Sequence, residues 1–495
     1  MTGGDELHEV VIVGGGFSGI AMAIRLLQAG FDDFVLLERA KELGGTWRDN
    51  QYPGAACDVP AHLYSLSFEP KPDWSRAFAT APEIQRYVLE VVDRHGLRAR
   101  TRVETRVSGL EYQEETGTWT IRAEGPAREE QLRARLVVVA CGGLSNPAPL
   151  PIEGTAGFQG KLFHTAEWAH DLDLAGKRVG VIGTGASAIQ VVPAIAERVG
   201  ELSVFQRTPP WIFPRNDREF SEAERRFFTE HPRARRWLRS TIFTVTELMS
   251  LGMVWRTPLT GVLERVCHEH LARQVPDLVL REKLTPDYRL GCKRMLLSDD
   301  YYPALCRAHV SLVTEPIARI YPRGIVTRDV RGRELERELD VIIAATGFDV
   351  PVDSPPFPVV GAQGRSLHRE WAAGAEAFFG VSIAGFPNLA MLMGPNTGPG
   401  HTSVLVYTEA EIERVIAMLR HLRAEGLKCM DVRPEVQARF NRGVQRRMRY
   451  TNWTSGCHSW YLTRSGKNTS LWPGFAAEYA LRARRFSPAD FHCER

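Results

Sequence analysis

Short apolar runs punctuate this chain. The longest, residues 10–13, 136–140 and 341–345, have the length of strands buried on both faces. The first, Val10-Val11-Ile12-Val13, leads straight into Gly14-Gly15-Gly16-Phe17-Ser18-Gly19. Residues 20–29 then have helical character and stop at Gly30, and the strand 34–37 ends in Glu38. The same order recurs: a strand at 178–182, the turn Gly183-Thr184-Gly185-Ala186-Ser187-Ala188, a helix, and a strand at 202–205. This alternation predicts an α/β fold with two Rossmann-like dinucleotide-binding domains. Residues from about 218 to 280 are helical in pattern and carry no nucleotide signature. There Trp237, Leu238, Ile242, Phe243, Leu248 and Met249 form an apolar face, read as packing or as the wall of a substrate cavity. Proline-rich stretches at 146–151 and 353–358 read as linkers out of and back into the first domain. The predicted organisation is a discontinuous first domain (1–147 and 355–495), a second domain (148–217 and 281–354) and a helical insertion (218–280).

The two glycine turns differ in one chemically decisive place. In the first, Gly14 permits the tight turn, Gly16 lets backbone amides approach a pyrophosphate, and Gly19 allows close helix–strand packing. Phe17 and Ser18 lie within the same turn and are counted among the candidate cofactor contacts, and Glu38 is placed to accept hydrogen bonds from ribose hydroxyls. In the second, Gly183, Thr184, Gly185, Ser187 and Ala188 form the equivalent turn. The offset from Gly14 to Glu38, applied from Gly183, lands on Arg207. A carboxylate there would repel a 2′-phosphate, whereas Arg207, with the Thr208 hydroxyl beside it, can pair with one. The first fold is therefore expected to bind FAD and the second NADPH.

Composition adds mostly exclusions. Of 495 residues, 44% are hydrophobic and 24% charged, and the formal net charge is +3. That balance gives no reason to expect nucleic acid or an acidic membrane as a partner. The polar, acidic start does not read as a signal peptide, and no apolar run has the length of a membrane span. The eight cysteines include no C-x-x-C, which argues against a zinc ribbon and a thioredoxin-reductase-like disulfide. Read as scattered, unpaired thiols, they suit a reducing cytoplasm. No metal site is suggested.

Finer motifs narrow the chemistry. The run Phe158-Gln159-Gly160-Lys161-Leu162-Phe163-His164-Thr165-Ala166-Glu167-Trp168 fits F-x-G-x-x-x-H-x-x-x-W just before the second glycine turn. It resembles a signature of Baeyer–Villiger monooxygenases. Ala169 stands where that family closes on Pro or Asp, and Trp168 where related N- and S-oxygenating flavin monooxygenases carry Tyr or Phe. Gly44-Gly45-Thr46-Trp47, Tyr52-Pro53-Gly54 and Asp58 resemble a second signature, G-G-x-W-x-x-x-x-Y-P-G-x-x-x-D, with every defined position kept. Gly291-Cys292-Lys293-Arg294, followed by Tyr301-Tyr302, is similar to the family's K-R segment. Ser459-Trp460-Tyr461 with Gly466-Lys467-Asn468 is similar to its C-terminal segment that contacts NADP. Residues 340–345, ending in Thr346-Gly347-Phe348-Asp349, resemble the A-T-G-x-D element at the domain junction of flavoprotein monooxygenases.

The resemblance covers nearly the whole chain. It implies an FAD-dependent monooxygenase that uses NADPH and O₂ to insert oxygen beside a ketone carbonyl, giving an ester or lactone through a flavin C4a-peroxide. Arg294 is then the candidate for stabilising the anionic oxygens, with Asp58 orienting it and keeping it charged. Lys293 is the candidate for the NADPH 2′-phosphate, and His164 takes a positioning role in the linker. Without the resemblance, Asp58 reads as a turn residue before Pro60, Arg294 as a surface cation and His164 as a structural histidine. Gly45, Thr46, Trp47, Tyr64, Val107, Thr346, Gly347 and Trp460 complete the candidate cofactor contacts, and Asp58 is counted among them. Residues 393–401 read as a flavin-facing loop in which Asn396 hydrogen-bonds the isoalloxazine edge. The alternatives are an N- or S-oxygenating flavin monooxygenase and a non-oxygenating flavoprotein. Arg294 and Trp168 count against the first, and the missing C-x-x-C against the usual disulfide reductase. The particular ketone and the oligomeric state are left open.

Overall fold

A computed structural model describes residues 7–349, 355–457, 459–463 and 465–495. Two sheets organise the chain. In the first, of eight strands, Leu7–Val13 lies between Glu129–Val139 and Phe34–Leu37 and runs parallel to both. The strands Thr118–Glu124 and Arg106–Gln113 extend it antiparallel beyond Glu129–Val139. The late strands Val359–Val360 and Leu389–Met391 join this same sheet, on Arg106–Gln113 and Glu129–Val139 respectively. Alternation along Leu7–Val13 explains its unbroken apolar run. Val10 and Ile12 enter one core, with the helix Phe17–Gln28, while Val11 and Val13 enter another on the opposite face.

The second sheet has five strands, all parallel, in the order Val310–Val313, Glu201–Phe205, Arg178–Ile182, Val341–Ala344, Lys161–His164. Its Val341 and Ile343 pack in the core that includes the helix Ala188–Ala196, and Ile342 packs on the other face. The chain segments that join the two sheets are hydrogen-bonded to each other. The Ala148 amide donates to the Gly347 carbonyl at 3.0 Å, and the Asp349 amide to the Asn146 carbonyl at 2.9 Å. The expected return linker at 353–358 is described only from Pro355 onward.

The insertion is helical as expected, with helices Glu222–Glu230, Pro232–Met253, Pro258–Gln274 and Leu278–Leu284. Local signals fix their starts: a Ser221/Glu224 capping box, Pro232 and Pro258 in first turns, and Asp277 accepting from the Val279 and Leu280 amides. The expected apolar packing face is wrong in part. Phe243 and Met249 do pack against cores, but Trp237 is 71% and Leu248 59% exposed. The helix Pro232–Met253 instead turns polar groups inward. Arg239 donates to the carbonyls of His62, Leu63 and Ser65. Glu247 pairs with His401 at 2.8 Å and accepts the amides of Ala476 and Ala477 at the start of the helix Ala476–Ala483. Those backbone groups need partners once buried, and that need decides which face of the helix goes in.

The cysteine reading is also corrected. Six thiols are free, but Cys292 and Cys457 are disulfide-bonded. They are 165 residues apart, so only the fold brings them together.

The antiparallel arm is tied to the return segment by Trp119, fully buried, whose indole N–H donates to the Pro387 carbonyl at 2.8 Å. Trp119→Ala is expected to cost about 3–5 kcal/mol, read as a lower midpoint of chemical unfolding.

Candidate active site

A cavity of about 1650 Å³ opens between the two sheets and receives both glycine turns. The turns are built alike. Gly14 has φ +112°, and a Cβ there would lie 2.6 Å from the Ala140 carbonyl oxygen. Gly183 has φ +113°, and a Cβ would lie 2.4 Å from that of Ala345. Each turn thus presses on the end of the neighbouring strand, and only glycine fits. Gly19 packs its helix onto the turn, since a Cβ would sit 1.9 Å from the Gly14 carbonyl oxygen. Ala188 holds the corresponding place in the second turn and is buried.

The first turn fits a pyrophosphate. No side chain caps the helix Phe17–Gln28 at Gly16, so its first amides are free for an anion. Gly45 faces Gly16 across the gap, and a Cβ on Gly45 would approach the Gly16 Cα to 3.0 Å. Glu38 is buried and braces this turn: it accepts the Gly15 amide at 2.8 Å and the Ala40 amide at 2.9 Å, and it pairs with Arg48 at 3.1 Å. It also lines the cavity, where it retains lone pairs for a ribose. Ser18 and Val107 line the same cavity.

The G-G-x-W signature has a structural explanation. Thr46 opens the short helix Thr46–Asp49, and the Trp47 indole N–H donates to the Tyr64 hydroxyl at 3.0 Å. The Tyr52 hydroxyl donates to Gln190 of the second fold at 2.9 Å, and a Cβ on Gly54 would meet the Gln190 carbonyl oxygen at 2.6 Å. Tyr52 and Gly54 therefore fit the first fold against the second. Gln190 was not singled out from the sequence, because no local pattern marks it.

Asp58 and Arg294, both in the cavity lining, form an ion pair. The Nε and Nη2 atoms of Arg294 donate to one Asp58 oxygen at 3.0 and 2.6 Å. Nη1 makes no hydrogen bond among the described residues, and the side chain is 44% exposed toward the open cavity. The Asp58 charge holds the guanidinium pKa above its ordinary value, against the opposing effect of burial.

Arg207 and Lys293 also line the cavity, and neither has an ion-pair partner among the described residues. Burial and then the Arg207 charge pull the Lys293 ammonium below its usual pKa. Lys293, with its ammonium 4.9 Å from the Tyr288 ring centroid, and Arg207 thus offer the cavity two cations without a carboxylate ion pair among the described residues, a site suited to a dianion. The Thr184 hydroxyl donates to the Thr208 carbonyl at 3.0 Å, tying the second glycine turn to this pair. Gly185 and Ser187 complete that wall of the cavity.

The F-x-G-x-x-x-H-x-x-x-W motif makes the edge strand Lys161–His164 of the second sheet. A Cβ on Gly160 would lie 2.4 Å from the Asp340 carbonyl oxygen, and beside it the Phe158 ring packs. Trp168 stands edge-on to Phe163 at 5.2 Å. His164 Nδ1 accepts the Ala166 amide at 3.1 Å, its ring meets Phe348 at 5.7 Å, and burial lowers its pKa. None of the four motif positions lines the cavity. They support Val341–Ala344, the strand that delivers Thr346 and Gly347 to it. The Thr346 hydroxyl is buried without a partner among the described residues, and Gly347 has φ +85°.

Asn396 is placed differently from expectation. The neighbouring Met393, Gly394 and Pro395 line the cavity, but Asn396 is buried behind them. Its amide nitrogen donates to the Asn468 and Leu471 carbonyls at 2.9 and 3.0 Å. Glu411, missed from sequence, supports the loop by accepting the Met393 amide at 2.9 Å. Lys467 is likewise directed elsewhere, pairing with Glu376 at 2.7 Å. Trp460 reaches the cavity and is 48% exposed. The sequence reading passed over the hydroxyl of Tyr461, beside it. Among the described residues no group of His, Cys, Asp and Glu is arranged to hold a metal, and no helix is long and apolar enough to cross a membrane.

Comparison with known proteins agrees with this architecture. Residues 11–223 match the family model described as pyridine nucleotide-disulphide oxidoreductase. The chain is 44% identical to a Baeyer–Villiger monooxygenase of Pseudomonas aeruginosa, over 98% of this chain and 91% of that one. It is 42% identical to a Baeyer–Villiger monooxygenase of Streptomyces coelicolor, over 99% and 94%. A crystal structure of OTEMO in complex with FAD and NADP superposes with a TM-score of 0.88 at 28% identity, covering 98% of this chain and 99% of that one. Ordered signatures, paired nucleotide turns and full-length similarity coincide, and the chain belongs to the Baeyer–Villiger monooxygenase family.

Proposed function

We propose that this protein is an NADPH-dependent flavoprotein that inserts one atom of O₂ beside a ketone carbonyl, giving an ester or lactone and water. The Asp58–Arg294 ion pair, set in the cavity where both nucleotide turns open, carries the assignment. When bound, FAD and NADPH supply the reducing power and the activated oxygen. The amides at Gly16 and Phe17 and the carboxylate of Glu38 would hold FAD; Arg207, Lys293 and the second glycine turn would hold NADPH. Arg294 lines the cavity with Nη1 free of hydrogen bonds among the described residues, while Asp58 fixes the other two nitrogens. That arrangement stabilises negative charge on a carbonyl oxygen undergoing attack, without reorganisation at the moment of reaction. N- or S-oxygenation generates no such tetrahedral oxyanion and has less need of this cation. The partners are thus a small-molecule ketone and O₂. A cytoplasmic setting belongs to this reading on the strength of six free thiols, with the Cys292–Cys457 pair as its exception.

The test is a panel of cyclic, linear, aryl and steroid ketones with NADPH and isotopically labelled O₂, products identified by mass spectrometry. Esters or lactones carrying one labelled oxygen are expected. Sulfoxides or N-oxides from control substrates, with no ester or lactone from any ketone, would overturn the assignment.

A further inference from the structure

The turn that carries Arg294 is covalently tied to the C-terminal segment. Cys292, fully buried, is bonded to Cys457, and the chain that follows brings Trp460 and Tyr461 into the cavity wall. Tyr461 is 97% buried, being 3% exposed, with its ring 4.4 Å from Trp460 and 6.4 Å from Trp453. Packing accounts for the ring but not for the hydroxyl. A buried tyrosine O–H usually ends on an acceptor. Here the hydroxyls of Tyr87, Tyr288 and Tyr479 donate to the carbonyls of Glu69, Pro209 and Phe379, whereas those of Tyr301 and Tyr407 are sealed in the core without a partner among the described residues and do not line the cavity. The Tyr461 hydroxyl has no hydrogen bond among the described residues, yet it is not sealed away, because the residue lines the cavity. It lies close enough to Arg294 and Asp58 for both charges to act on it.

We propose that Tyr461 is a substrate-orienting residue: its hydroxyl donates a hydrogen bond to the carbonyl oxygen of the ketone, beside Arg294, and the Cys292–Cys457 link keeps the two donors in register. The inference rests on the ketone reading above. A carbonyl oxygen has two lone pairs, so it can accept from Arg294 Nη1 and from the Tyr461 O–H together. Burial, opposed by the Arg294 charge, pushes the phenol pKa up to about 12. The proton therefore stays on Tyr461 at working pH, and the group acts as a donor, not a base. A thioether offers no comparable oxygen, so the residue favours ketones over sulfides.

The experiment compares wild type with Tyr461→Phe, both loaded with FAD and NADP⁺, using ¹³C-carbonyl cyclohexanone as the probe. The carbonyl infrared band of the bound ketone is expected at lower wavenumber in wild type than in Tyr461→Phe. In turnover, Tyr461→Phe should lower kcat/KM for cyclohexanone about tenfold more than it lowers kcat/KM for a thioether. Cys457→Ser should fall between the two in ketone turnover. Identical band positions in wild type and Tyr461→Phe, including the case in which neither differs from free ketone, overturn the proposal. A wild-type band shifted as expected without ester or lactone product would instead count against the ketone-oxygenation reading and leave the hydrogen bond standing.

Discussion

Arg294→Ala is expected to lower ester or lactone formation about 10²–10³-fold while the protein continues to oxidise NADPH. Three features make the loss large. The guanidinium is held charged by Asp58, so it contributes a full positive charge at any working pH. Two of its nitrogens are already committed to one carboxylate oxygen, which fixes the third relative to the cavity. Its removal also leaves Asp58 facing the site uncompensated, reversing the local charge where negative oxygen has to be stabilised. Arg294→Lys is expected to recover little. A single ammonium cannot hold Asp58 through two N–H groups and still present a third in a fixed plane. The measurement is ester formed per NADPH consumed: both variants should uncouple the two quantities. Ester formation by Arg294→Ala within a few-fold of wild type would remove Arg294 from its assigned role.

Replacing Arg207 and Lys293 together with alanine is expected to abolish the preference for NADPH over NADH. On the proposed reading each cation would make a charge-assisted bond to the 2′-phosphate, worth about 1.5–3 kcal/mol, or roughly ten- to a hundredfold in binding. The KM for NADPH should rise accordingly in each single variant, with kcat for bound coenzyme and the KM for NADH nearly unchanged. The two effects should not simply add. Burial first and then the Arg207 charge pull the Lys293 pKa down, and a dianion relieves the second of these, the repulsion between the cations. The first substitution therefore removes one phosphate contact and also part of the unfavourable charge. A double variant that still prefers NADPH as strongly as wild type would place the phosphate elsewhere.

What could be read from the sequence was what is local. The buried strand, the glycine turn and the helix that follows it are neighbours in the chain, and their spacing carries the physics of both nucleotide folds. The contrast between Glu38 and Arg207 was visible for the same reason. The Asp58–Arg294 pair spans 236 positions and came into view through family resemblance, not through any pattern near either residue. Contacts decided by burial were out of reach. Apolar periodicity in 232–253 suggested a packing face, but the carbonyls of residues 62–65 and the amides of 476 and 477 called for Arg239 and Glu247 instead. Asn396 looked like a cofactor contact because its loop faces the cavity; its side chain was claimed by carbonyls some seventy residues later, at 468 and 471.

The hydrogen bonds between residues 146–148 and 347–349 mean that the chain leaves the first sheet and comes back to it at one doorway. The chain between these points, including the parallel sheet and the helical insertion, enters and leaves through two segments paired at a single antiparallel bridge, Pro147 with Phe348, and is tied to the first fold again by the Cys292–Cys457 disulfide and the Asp58–Arg294 pair. A segment attached in that way can be duplicated, lost or exchanged as a cassette without re-threading its host, because a short turn would close the gap it leaves. The two glycine turns, so alike in construction, show one nucleotide-type fold lodged inside another, and they differ just past the second strand, where one has Glu38 and the other Arg207.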